Sequence, residues 1–256
     1  MVAYGLFHFW MSKSSYKYFH HTLLILKDIN YLNLWEPVLM ANNDLKLLEG
    51  WFSPFVWRVK IALNIKSLDY EKIEETLRPK SDLLLQSNPV YKKIPVLIHG
   101  GKPICESAII VEYIEETWTS GPSILSSDPY DRANARFWVA YIDDKLFPSM
   151  RSALATDEEA KKPLFEQIEE VLLKMEEVLL NKPFFGGDQI GLIDIVLGSL
   201  LLWLEVLENI NERKLLFEEK TPALVKWAER FLADPAVVVV MPETDKLIEY
   251  AKAFRP

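Results

Sequence analysis

Ser53 stands directly before Pro54, after the short apolar run Leu45 to Leu48 and at the head of the amphipathic run Pro54 to Lys66. Serine is a favoured helix N-cap, and proline is favoured at the first helical position. The pair predicts a hydroxyl at a helix N-terminus, at the C-terminal end of a strand. Unpaired N–H groups and the positive end of the helix dipole meet there, so an anion is stabilised. Nucleophilic catalysis would need an adjacent base. No histidine lies near Ser53 in sequence, and His99 falls on a predicted strand, so a hydrolase triad is not expected. Glu106 and Ser107 open a further predicted helix, whose first amides can also take a carboxylate. Lys80 and Lys93 add positive charge to the same stretch. By residue type alone, plainer readings stand beside these. Ser53 is then an ordinary cap, Glu106 and Ser107 merely start a helix, and the lysines are solvated surface.

The elements that must position these residues follow from the pattern of residues 45 to 118. Leu45–Leu48 is a strand and Pro54–Lys66 a helix. Asp69–Glu75 alternates as a second strand, and Pro79–Gln86 is a short helix. Pro95–His99 is apolar, Gly100-Gly101 is a hairpin turn, and Lys102–Cys105 is the returning strand. Glu106–Trp118 places Ile109, Ile110, Tyr113, Ile114 and Thr117 at helical spacing. The order βαβαββα is the thioredoxin-like arrangement.

Residues 121–130 are rich in turn formers and read as a linker. Everything after it is helical: Tyr130 to Ala155, Glu158 to Leu180, Gly191 to Leu207, Thr221 to Ala233 and Pro242 to Phe254. Gly191–Leu207 is nearly all apolar and should be buried at the centre. At its start, Asp194 can reach back to the N–H of Gly191, a structural capping pair. The predicted fold is therefore an α/β thioredoxin-like domain over 40–120, followed by an all-α domain over 131–256.

A chain of 256 residues, 50% hydrophobic, can bury a large core. Its formal net charge of −8 argues against non-specific nucleic-acid binding, which needs a basic face. The single cysteine, Cys105, excludes an internal disulfide and fits a reducing compartment. The sequence holds no uncharged apolar run of the ~18 residues that a membrane-spanning helix requires.

Three segments, WFSPFVWRVKIAL, LRPKSDLLLQSNPVYKKIPVLIHGGKPICESAIIVEYIEETW and FFGGDQIGLIDIVLG, occur in that order. Together they resemble the cytosolic glutathione S-transferases, most closely the plant tau class, over residues 40 to 256. The resemblance implies that Ser53 donates its hydroxyl proton to the sulfur of glutathione and holds it as thiolate. A free thiol has a pKa of ~8.5, so lowering it by about two units takes ~2.7 kcal/mol of preferential stabilisation of the anion. The resemblance also implies that Lys80 and Lys93 hold the glycine carboxylate. The backbone of Ile94, before a cis Pro95, pairs with the cysteine moiety, and Glu106 and Ser107 hold the γ-glutamyl end.

An apolar electrophile site is implied beside the thiol, with Trp51, Phe55, Phe147, Arg151 and Trp203 as candidates by position. For each the rival reading is inter-domain core. Glutathione is implied as co-substrate, with no permanently bound cofactor and no metal. The implied partners are glutathione and hydrophobic electrophiles, with no nucleic acid and no membrane. The implied assembly is a homodimer in the cytosol. The implied activity is conjugation, with reduction of organic hydroperoxides as a second one. The alternative is a non-catalytic carrier of hydrophobic metabolites on the same fold. Serine rather than cysteine at position 53 implies weak thiol-reductase activity, and Cys105 reads as a buried small hydrophobe. Tyr91, Trp57 and the pair Glu49-Gly50 depart from the tau pattern.

Residues 1–39 differ from the rest, with nine aromatics and His8, His20 and His21. They read as an extension preceding a family-like start at Met40. The rival is an anchor or targeting segment, although basic residues follow the apolar run rather than precede it. The three histidines lack carboxylate or cysteine partners at ligand spacing.

Overall fold

A computed structural model describes residues 44–253, apart from Leu77 and Asn181. The extension over 1–39 lies outside the described residues. The sheet contains β1 (Leu45–Glu49), β2 (Glu71–Glu74), β3 (Val96–His99) and β4 (Lys102–Cys105), in the order β2-β1-β3-β4. β1 runs parallel to β2 and antiparallel to β3, and β3 to β4 is a hairpin. Gly100 and Gly101 have φ of 56° and 73°, the left-handed region that this turn requires and that glycine enters without penalty.

β1 carries buried leucines on both faces because both are covered, Lys46 aside. Leu45 and Leu47 join the main core with α1 (Pro54–Ile65) and α3 (Ser107–Thr117). Leu48 joins a smaller cluster with Val96, Ile98 and Leu84 of α2 (Asp82–Ser87). The register then fixes what shares one end of the sheet. Leu48 faces Val96, Val96 faces Cys105, and Glu49 lies beside Glu74. The ends of β1, β2 and β4 and the start of β3 therefore lie together. Each is followed or preceded by a loop that the sequence singles out.

The helical domain comprises α4 (Pro129–Tyr141), a π-helical turn (Ile142–Leu146), α5 (Phe147–Ala155), α6 (Glu158–Leu179), α7 (Leu192–Gly198), α8 (Leu201–Asn211), α9 (Pro222–Leu232), α10 (Pro235–Val238) and α11 (Thr244–Ala253). Four details differ from the sequence reading. β2 is shorter than Asp69–Glu75. α2 starts after its cap Ser81, not at Pro79. The helix expected over Tyr130–Ala155 is interrupted by the π turn. Pro148 lies just beyond it, and proline lacks the N–H that the carbonyl four residues earlier would accept. The central helix expected over Gly191–Leu207 breaks at Ser199 and Leu200. Its burial survives, since every residue of α7 is buried. Gly198 is required at the break, because a Cβ there would lie 2.2 Å from the ring of Phe231.

The capping pair forms as expected. Asp194, fully buried, accepts the N–H of Gly191 at 2.8 Å. It also takes the N–H groups of Phe185 at 2.8 Å and Gly186 at 2.9 Å and the indole N–H of Trp227 at 2.7 Å. Burial pushes its carboxyl above the usual carboxylate range, and those four donors pull the other way.

Candidate functional site

The turn from β1 into α1 carries Ser53. Its N–H bonds the Gly50 carbonyl at 3.0 Å, and its own carbonyl accepts Val56 and Trp57 at 3.1 and 3.2 Å. Its hydroxyl oxygen accepts the Val56 N–H at 3.4 Å, a long cap bond. Among the described residues the hydroxyl proton has no acceptor. Ser53 is buried, with 6% of its surface exposed. Gly50 is explained by close approach, since a Cβ there would lie 2.9 Å from Ile94 Cδ1. Glu49 is buried and pairs with Lys60 at 3.1 Å.

Residues 88–95 cross the same end of the sheet. Asn88, which the sequence reading missed, organises them. Its Oδ1 accepts the Tyr91 N–H and its Nδ2 donates to the Lys93 carbonyl, both at 3.0 Å. Its carbonyl accepts the Lys92 N–H at 2.9 Å. The Ile94–Pro95 bond is cis. Lys80 is brought in from the β2–α2 loop, with its ammonium on the Lys92 carbonyl at 2.5 Å. Lys80 and Lys93 are both exposed.

Glu106 and Ser107 follow β4 at that end. Glu106 has φ 71° and ψ 117°, a conformation that non-glycine residues rarely adopt. Ser107 is buried, and its hydroxyl oxygen accepts from Arg58 Nη1 at 3.3 Å. Ser53, Lys80, Lys93, Ile94, Glu106 and Ser107 thus share one end of the sheet.

Arg58 is the largest omission of the sequence reading. It is fully buried on α1 and faces the helical domain. Nη1 and Nη2 donate to the two carboxylate oxygens of Asp143, in the π turn, at 3.0 and 2.7 Å. Nε donates to Ser199 Oγ, at the break between α7 and α8, at 3.0 Å. The guanidinium also lies 4.7 Å from the ring centre of Phe55. Both irregularities of the helical domain therefore serve one cation. The signal for Arg58 was helical spacing, which puts it on the same face as the buried Ile61 and Ala62.

The electrophile candidates fall into two groups. Phe55 and Phe147 meet edge to face at 4.7 Å. Arg151 lies one turn beyond Phe147 on α5, exposed, with no ion pair or hydrogen bond among the described residues. Trp51 and Trp203 instead pack on Tyr250 of α11, at 5.3 and 6.4 Å. Tyr250 stacks on Phe52 at 4.7 Å, and Lys246 sits 4.1 Å over Trp51. Tyr250 was not foreseen, since a tyrosine on a terminal amphipathic helix carries no distinguishing pattern. Cys105 is half-buried, and its thiol points to the Ser87 carbonyl at 3.5 Å. Burial first, and then the charge of Glu106, push this thiol up. Among the described residues no group of three or more His, Cys, Asp or Glu side chains is placed to hold a metal ion. No described helix is long and apolar enough to cross a membrane.

Residues 43–116 match the glutathione S-transferase N-terminal domain, and residues 137–235 match the C-terminal domain of the same family. A thioredoxin-like domain ending in this turn and loop set, joined to an all-helical domain, is a glutathione S-transferase, and the chain belongs to that family. It is 57% identical over 223 residues to glutathione S-transferase U17 of Arabidopsis thaliana, covering 85% of this chain and 98% of that protein. The tau-class enzyme of mango, Mangifera indica, superposes with a TM-score of 0.79 at 60% identity, over 82% of this chain and 98% of that one. Rice GST1, solved in complex with glutathione, gives 0.78 at 35% identity, over 82% and 95%. Within the family the chain is of the plant tau class. Members of this family use glutathione as co-substrate.

Proposed function

We propose that this transferase adds the glutathione thiolate to hydrophobic electrophiles, with Ser53 as the group that keeps the sulfur ionised. The observation that carries this is the Ser53 hydroxyl. It is buried at the N-terminus of α1, with its proton uncommitted, at the end of the sheet where the Ile94 and Ser107 loops converge. A hydroxyl donor and a helix N-terminus both favour the anion over the thiol. The side chain acts as a donor and forms no covalent bond.

In this reading the backbone of Ile94 pairs with the tripeptide's cysteine moiety. Lys80 and Lys93 take the glycine carboxylate, Lys80 exchanging its bond to the Lys92 carbonyl. Glu106 takes the γ-glutamyl ammonium, and Ser107 with the first α3 amides takes the γ-glutamyl carboxylate. Arg58 fixes Ser107 from behind. The thiolate attacks an electrophilic carbon held against Phe55 and Phe147, or against Trp51 and Trp203, with Arg151 available to orient a polar substituent. Position and thiolate stabilisation are the protein's contributions. The same thiolate, with a second glutathione, can reduce an organic hydroperoxide to alcohol and water, leaving glutathione disulfide.

The division of labour follows the limits 40–120 and 131–256, joined by 121–130. The assembly is a homodimer in the cytosol, supported by exposed Ile109 on α3 and Phe137 on α4, helices bridged by the Arg136–Glu112 pair.

The test is the ultraviolet thiolate absorbance of bound glutathione titrated against pH, for wild type and Ser53→Ala, alongside turnover of a chlorinated nitroaromatic. Loss of a hydrogen bond to a charged group, about 1.5–3 kcal/mol, should raise the thiol pKa by about one to two units and slow turnover about 10- to 100-fold. An unchanged pKa in the alanine variant rejects the role of Ser53. Tight ligand binding without conjugation in the wild type turns the reading to a carrier.

A further inference from the structure

Two consecutive carbonyls precede Ser53, and each is held by a tryptophan. Trp57, on α1 and 1% exposed, donates its indole N–H to the Trp51 carbonyl at 2.8 Å. Trp203, on α8 of the other domain, donates its indole N–H to the Phe52 carbonyl at 3.0 Å. The cap bond of Ser53 itself is 3.4 Å, too long to fix the side chain firmly. The turn backbone must therefore aim the hydroxyl. Rotation of either the 51–52 or the 52–53 peptide plane would swing Ser53, and each plane is locked by one indole.

We infer that Trp57 and Trp203 are a matched pair of positioning residues, whose indole N–H groups set the direction in which Ser53 offers its proton to the glutathione sulfur. The inference rests on the proposed role of Ser53 and adds to it. Trp57 is one of the positions at which the chain departs from the tau pattern, and its buried indole is accounted for here by a bond rather than by volume. Trp203 carries the second lock across the domain boundary. The aim of the serine thus depends on how the helical domain sits against the thioredoxin-like one. Both indoles bond backbone carbonyls, and because Trp203 also lines a candidate electrophile face, the pKa of bound glutathione rather than turnover decides its case.

The experiment compares wild type, Trp57→Phe and Trp203→Phe. Phenylalanine keeps an aromatic ring and removes the N–H. Because Trp57 is fully enclosed, a second Trp57 variant carries 3-benzothienylalanine, in which sulfur replaces the N–H at nearly unchanged shape. Three quantities are read on each: the pKa of bound glutathione by thiolate absorbance, glutathione affinity by calorimetry, and kcat with a chlorinated nitroaromatic. Each lost bond should raise the bound thiol pKa by about half a unit or more and lower kcat about fivefold, with glutathione affinity held within about threefold. A merely structural role would lower the melting temperature and leave the pKa of the folded, glutathione-bound protein where it was. That result, in Trp203→Phe or in the benzothienyl variant, overturns the inference. A wild type with no thiolate band would instead sink the role of Ser53, so the two failures are distinguishable.

Discussion

Among the described residues two ionisable groups are completely buried, Asp194 and Arg58, and they are satisfied in opposite ways. Asp194 faces only N–H dipoles, three from backbone and one from an indole, all within the helical domain. Arg58 faces a full carboxylate, and its partners come from three separate places in the chain. Asp194 ties one domain to itself. Arg58 ties the thioredoxin-like domain to the helical one, with Ser107 of the candidate site in the same network. The contrast teaches that a buried charge held by dipoles guards a local fold, whereas one held by a distant counter-charge guards an assembly of folds.

The largest effect should come from Asp194→Ala. It strands four donors, and at even ~1 kcal/mol each the loss approaches the whole stability of a domain, about 5–15 kcal/mol. Little folded protein should be recovered, as measured by soluble yield and melting temperature. A variant that folds normally and loses only turnover would break the contrast, because Asp194 would then belong to the chemistry.

Arg58→Met comes next. Arg58 is fully buried but the Asp143 side chain is 34% exposed, so the lost charge-assisted bonds should cost about 1.5–3 kcal/mol. Chemical denaturation should show this loss. Adding Asp143→Leu should restore part of it, giving a coupling of at least about 1.5 kcal/mol in the double-mutant cycle. Additive losses would mean that the two side chains merely lie side by side.

A smaller effect sharpens the comparison through another buried cation, Lys66, paired with Glu115 at 2.6 Å. Burial opposes ionisation of Glu115. The Lys66 ammonium, the Ser123 hydroxyl and the Ile124 N–H outweigh it and hold the carboxyl below its usual range. A carboxyl depressed in the folded state adds stability above its unfolded value, ~4.3, and that stability is lost as pH falls through the folded value. Glu115→Gln should therefore be about 1 kcal/mol less stable than wild type at pH 7, and the gap should close below about pH 4. A gap independent of pH would assign the effect to shape rather than charge.

How much of this was legible follows from what each signal reports. The Ser-Pro start of α1, the Gly-Gly hairpin and the spacing in α3 are local, and the sequence displays them directly. So is the reach from Asp194 to Gly191, three residues apart. The contacts of Arg58 join residues 49, 85 and 141 positions away, which no local period encodes. Periodicity reports which face of a helix is apolar, not whether the helix continues. Gly191–Leu207 stays apolar through its break, and Tyr130–Ala155 stays amphipathic through its π turn. The six glutathione-site candidates were placed by motif, and register explains why they meet. The electrophile candidates were placed by position alone, and packing sorts them into two groups with Tyr250 as an unforeseen member.

Tyr250 lies flat on Phe52, so a ring from the last described helix covers a turn from the first strand–helix unit. On a ribosome these partners emerge far apart in time. The nascent thioredoxin-like unit can form its sheet early, but the turn before Ser53 stays uncovered until the helix that carries Tyr250 has emerged. Disturbing that helix would then be felt some two hundred residues away, at the turn over 51–53, with the first domain otherwise intact.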